Sequence, residues 1–192
     1  PSPAPILIAG SIGPRSDAYA PTVRMLVAEA AKYHAAQLAT FAATPVDLVV
    51  ASTLGYVEEA VGVALAAASL QVPLVLSLSV ETDGRLPSGQ SVGDAIEQVD
   101  QATGDRVAYY MINCAHPSHV ARGIEPGAPW LQRLRGLRAN ASDKSHAELD
   151  QATSLDEGDA DDLAAGFATL REHWPTLSVV GGCCGTDRRH VA

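Results

Sequence analysis

With 192 residues, 47% of them hydrophobic and 18% charged, the chain can bury one sizeable core and is too apolar to be disordered throughout. A formal charge of -9, from 13 Lys and Arg against 22 Asp and Glu, argues against binding a nucleic-acid backbone. No apolar run reaches the ~18 residues of a membrane span and the first residues lack a signal peptide's basic segment, so with an odd count of three cysteines a reducing cytoplasm is the expected location.

The first apolar run, PILIAG at 5–10, reads as a strand, and GSIGP (10–14) after it is only a weak match to a phosphate-binding glycine loop. Residues 21–43 are Ala-rich with Pro21 at a first-turn position, which predicts a helix. VDLVVAS (46–52) is the second strand-like run, and after the Gly55 break residues 58–70 form a second helical pattern. VPLVLSLSV (72–80) precedes a helix over 91–101 with Ile96 and Val99 at i, i+3 spacing. RVAYYMINC (106–114) and a weaker LRGLRAN (134–140) follow. The stretch from 139 to 162 holds most of the acidic excess and reads as a solvated loop and helix start. Residues 159–174 carry an acidic first turn and a Pro175 stop, and TLSVVGG (176–182) is the last run.

Near-continuous Val/Ile/Leu runs alternating with helices point to parallel strands buried on both faces, an α/β fold with right-handed crossovers. The run starts lie roughly 26 to 42 residues apart. That suits a (β/α)8 barrel, at ~30 residues per unit, with about six of the eight units present. An open doubly wound sheet of six strands is the alternative.

In parallel α/β folds, ligands bind at the carboxyl ends of strands. Cys114 ends one run, and Cys183 and Cys184 directly follow another, so all three fall on one rim. Three thiolates there would make a zinc site with one open position, as catalytic zinc sites have. Gly181, Gly182 and Gly185 would let the chain bend so that two adjacent cysteines face one point. Three small buried hydrophobes remain an alternative, as do redox chemistry of the Cys183–Cys184 pair and a cysteine nucleophile assisted by His116 or His119.

Read together, GGCCGT (181–186), MINCAHP (111–117), AGSIGP (9–14) and SVETDGRLPSGQSV (79–92) resemble, in order, motifs of the homocysteine S-methyltransferase family of zinc-dependent barrel enzymes. The resemblance runs from about residue 6 to residue 190. It implies a single barrel domain over 1–192 with zinc bound by Cys114, Cys183 and Cys184. It also implies methyl transfer from a sulfonium or ammonium donor to a small thiol such as homocysteine, the methionine-forming reaction. Asn113, and Asn140 in RANAS, match family asparagines that shape the pocket.

The chain departs from the family in two places. Where the family carries a glutamate that binds the amino group of homocysteine, this sequence has Ser52, followed by Thr53, and these become the expected substrate-binding positions. Glu58 and Glu59 read as solvated helix positions rather than replacements. Nothing matches the family's first two strands, with their Asp-Gly-Gly turn, and the chain opens at Pro1, so it is expected to be N-terminally incomplete. Missing strands would leave two unpaired sheet edges, which favour association with another chain, a second copy included. A non-catalytic zinc-binding relative is the competing function. No nucleic-acid or membrane partner is expected.

Overall fold

The computed structural model describes residues 5–191. Six strands form one parallel sheet: β1 (Ala9–Ile12), β2 (Leu48–Leu54), β3 (Leu74–Ser79), β4 (Tyr109–Ala115), β5 (Leu134–Ala139) and β6 (Val179–Gly182). Their spatial order is their sequence order, β1 through β6. A doubly wound sheet reverses direction at a switch point, and this one does not. The chain is therefore a partial (β/α)8 barrel, with β1 and β6 at the two ends of a curled sheet.

The connecting helices are α1 (Val27–Ala42), α2 (Val57–Ser69), α3 (Val92–Thr103), α4 (Pro117–Gly123), α5 (His146–Asp150), α6 (Ala160–His173) and α7 (Arg188–Val191), with a 3-10 turn at Pro129–Gln132. Local chemistry sets their ends. Ser91 caps α3 by accepting from the Asp94 amide, and Gly104 ends it at φ 65. Asp159 caps α6 through the Asp161 and Asp162 amides. His116 caps α4, its Nδ1 accepting from the Ser118 amide at 3.3 Å.

Strand register separates the two faces. Leu76, Ile112 and Leu137 lie on the helix side with Tyr110, whose hydroxyl donates to Asp100 of α3 at 2.7 Å. Ser77, Ser79, Met111, Asn113, Gly136 and Arg138 lie on the lumen side, because residues paired across parallel strands point the same way. Most of the core sits between strands and helices, from Leu38 and Val49 through Ile96 and Ile112 to Trp174, all buried.

Three expectations change. The first run begins four residues ahead of β1, and Ile6, Leu7 and Ile8 are exposed beside an edge strand. The first helix starts at Val27 rather than near Pro21 because the preceding segment is spent on tertiary contacts: the Met25 amide donates to the Tyr56 hydroxyl, and Glu29 Oε2 caps the Leu26 amide. The acidic stretch is not all loop; Ser145 and Glu148 form a capping box that starts α5.

Glu59 is a correction. Glu58 is solvated as expected, but Glu59 is buried, and its Oε1 accepts from His34 Nε2 at 3.0 Å and from the Arg15 amide at 2.8 Å. Burial pushes its carboxyl up, but the His34 hydrogen bond and then the Arg15 amide outweigh that and hold it below its usual range. The pair ties α1, α2 and the loop after β1 together. Among the described residues, no helix is long and apolar enough to cross a membrane.

Candidate functional site

The carboxyl ends of β2, β4, β5 and β6 meet at the rim where the cysteines lie. Two of these strands break register just there, between Ala51 and Leu54 and between Asn113 and Ala115. The displaced residues are Thr53 at φ 64 and Cys114 at φ 56. A positive φ at a β-branched threonine is strained, and such backbone persists only where the surroundings over-determine it.

Asn113 provides that constraint. Its Oδ1 accepts from the Thr53 amide at 2.9 Å and from the Ser77 hydroxyl at 2.6 Å. Its Nδ2 lies 3.1 Å from both Thr53 Oγ1 and Cys114 Sγ. One buried amide thus fixes two strained residues and orients a thiol. The Tyr19 hydroxyl, reaching in from the loop after β1, donates to the Cys114 carbonyl at 3.1 Å.

The closing motif is equally determined. The Cys183 amide continues the ladder to Ala139 O at 2.7 Å, and the Cys184 amide then turns to Asn140 Oδ1 at 3.2 Å. Thr186 Oγ1 donates to the Cys183 carbonyl at 2.7 Å. A side chain at Gly182 would strike Thr186 Oγ1, and one at Gly185, where φ is 77, would strike the Asp156 carbonyl. These glycines let both cysteines face Cys114. The three sulfurs all lie within 4.8 Å of one another, with Cys114 and Cys183 separated by 2.9 Å.

Three thiols this close cannot ionise independently. Hydrogen bonds from Cys114 and then Cys184 hold the Cys183 thiol well below its ordinary range, with the Arg138 guanidinium adding to the effect. Its hydrogen bond with Cys183 pushes Cys114 the other way, aided by Cys184 and burial. A single soft divalent cation would relieve the repulsion among three thiolates, and the donor set fits zinc, leaving one coordination position for a substrate.

A cavity of about 570 Å³ opens on the cluster at Cys114 and Cys184, within the range of small-molecule pockets. One wall is Tyr19 stacked on His146, ring centroids 3.8 Å apart and planes 12° from parallel. Leu149 and Leu155 make another, and Asp17, Asp150 and Asp156 stand at its edge. Asp156 pairs with Lys144 at 2.7 Å and Asp150 with His146 at 3.6 Å.

The structure thus brings together Cys114, Cys183, Cys184, Thr53, Asn113 and Asn140. Ser52 does not join them: its Oγ has no hydrogen-bond partner among the described residues. His116 and His119 make no hydrogen bond to a cysteine; burial lowers the pKa of both, and His116 serves α4. Sequence reasoning missed Tyr19 and His146, whose approach depends on two loops 127 positions apart, 19 to 146. It also passed over Ser77 and Ser79, which at every second position of an apolar strand signal its lumen face.

A parallel barrel segment with a metal-type thiol cluster on its carboxyl rim defines the general class. The homocysteine S-methyltransferase family matches residues 2–192, and the chain belongs to it. No curated protein matches the chain. Among solved structures it is similar to the homocysteine methyltransferase MmuM from Escherichia coli. The apo form is 19% identical with a TM-score of 0.63, covering 95% of this chain and 59% of that one. The metallated form is 19% identical with a TM-score of 0.66, covering 95% and 58%. The chain therefore spans less than three fifths of those proteins' length, and at this identity the likeness speaks for the fold.

Proposed function

We propose that the chain carries the zinc and thiol-acceptor site of an S-methyltransferase, with Cys114, Cys183 and Cys184 as the metal ligands. The observation that carries this is the convergence of three sulfurs from two distant strands on the rim where barrel enzymes bind substrates. A free thiol titrates near ~8.5 and is a poor nucleophile at neutral pH. Zinc held by the three thiolates would supply the Lewis acidity that lowers an acceptor thiol's pKa.

The chain's own residues do the rest. Asn113 holds Cys114 Sγ, and Asn140 holds the Cys184 backbone, so the cluster is set before substrate arrives. The Tyr19–His146 wall shields one side from water. Carboxylates at the cavity edge favour a cationic donor, sulfonium or ammonium. The acceptor thiol releases its proton to solvent, its sulfur bonds to the donor's methyl carbon, and the bond from that carbon to the donor heteroatom breaks. The bonding pair stays on the heteroatom, leaving a neutral donor product and a thioether. Thr53, which lines the cavity, contacts the acceptor, and with homocysteine the product is methionine. Three reduced cysteines suit a cytoplasmic protein.

The test is methyl transfer from S-methylmethionine or betaine to homocysteine, followed by mass spectrometry on zinc-loaded protein. Methionine formation that disappears in Cys183→Ser supports the enzyme. Full zinc occupancy without turnover on either donor would favour a metal-binding relative without activity.

A further inference from the structure

A methyl transfer brings two molecules to one cluster. The 570 Å³ cavity meets it at Cys114 and Cys184. Two positions beyond Gly181, which pairs with Arg138, Cys183 falls on the lumen side of β6, close enough for Arg138 to act on its charge. Register places Ser79, Asn113, Arg138 and Gly181 on one row, all pointing inward, just beneath the thiols. Gly181 has no side chain, and a Cβ built there would meet only Arg138 Cγ, at 3.6 Å. Among the described residues no carboxylate pairs with its guanidinium.

This row therefore places a positive charge beside the cluster. An unpaired guanidinium recognises a carboxylate through two parallel charge-assisted hydrogen bonds. We propose that Arg138 is a specificity-determining residue that binds a carboxylate on the acceptor, so that the preferred acceptors are mercapto-carboxylic acids. This rests on the thiol-acceptor reading above.

The test uses the full chain loaded with cobalt(II), whose sulfur-to-metal absorption changes when an added thiol joins the cluster. The probes are 3-mercaptopropionate, cysteamine and 2-mercaptoethanol, alike in size and different in charge. Arg138→Gln should weaken 3-mercaptopropionate at least about tenfold, equivalent to ~1.4 kcal/mol, and leave the other two within about twofold. Arg138→Lys should restore part of the loss. Equal weakening of all three thiols would overturn the proposal, assigning Arg138 to the cysteines' own charge, and so would no change in any. Unaltered 2-mercaptoethanol binding in the variant also shows that the site is intact. If cobalt does not bind, the metal reading has failed by itself. Calorimetry with the thioether 3-(methylthio)propionate then decides, since it needs no metal: binding lost in Arg138→Gln supports the carboxylate site, and no binding to the native chain refutes it.

Discussion

The Glu59–His34 pair gives the sharpest test of how the site is held. Both side chains are 1% exposed. Glu59→Leu would remove the acceptor for the buried His34 Nε2 and the part-buried Arg15 amide. Each donor left without its acceptor costs ~1–3 kcal/mol. Glu59→Gln keeps an oxygen at Oε1 and loses only the charge, so ~1–2 kcal/mol is expected. Against a total stability of ~5–15 kcal/mol, the first change is severe and the second is tolerated. Urea denaturation followed by circular dichroism at pH 7 measures both. A further consequence is specific to the architecture. The Arg15 amide anchors the loop that carries Asp17 and Tyr19 to the cavity, so Glu59→Leu should also weaken metal binding at a cluster it never touches. A loss below ~1 kcal/mol for Glu59→Leu, or a larger loss for Glu59→Gln, would refute the reasoning.

The same pair has a pH signature. A carboxyl held below its ordinary value of 4.5 contributes stability that is fully present above that value. It is lost as pH falls through the lower folded value, so the stability gap between native chain and Glu59→Gln should close on acidification below 4.5. Gly62→Ala would place a methyl 2.5 Å from Ala30 Cβ and 2.8 Å from Val27 O, where α2 packs on α1. Overpacking of that kind costs ~1–3 kcal/mol, readable as a lowered urea midpoint. Asn113→Leu removes the group that holds Thr53 and Cys114, and metal affinity measured by chelator competition should fall by about 10- to 100-fold.

The barrel was legible because its inner strands are apolar on both faces, as VPLVLSLSV is, and because the spacing of runs matched one βα unit. The cysteines were legible because strand ends converge in a parallel sheet wherever the strands lie in sequence. Other features depend on partners that periodicity does not reveal. Glu59 has the spacing of any first-turn acid, and only His34 on the neighbouring helix makes it a core residue. The start of α1 moved because Met25 bonds a tyrosine 31 residues away. Thr53 and Cys114 give no sign in sequence of their left-handed backbone, which Asn113 imposes from the neighbouring position and from across the sheet. Arg138 sits in the weakest run, LRGLRAN, where an inward-facing arginine and an ordinary surface one look alike until the register with Asn113 is known.

Metal stoichiometry tests the central claim most directly. Elemental analysis of the full chain, purified under reducing conditions and dialysed against trace zinc, should give one zinc per chain. Each of Cys114→Ser, Cys183→Ser and Cys184→Ser should lower occupancy sharply, because each removes one of the three proposed ligands, which come from β4 and the end of β6. Zinc retained in Cys114→Ser, or three freely titrating thiols in a chain that takes up no zinc, would contradict the account.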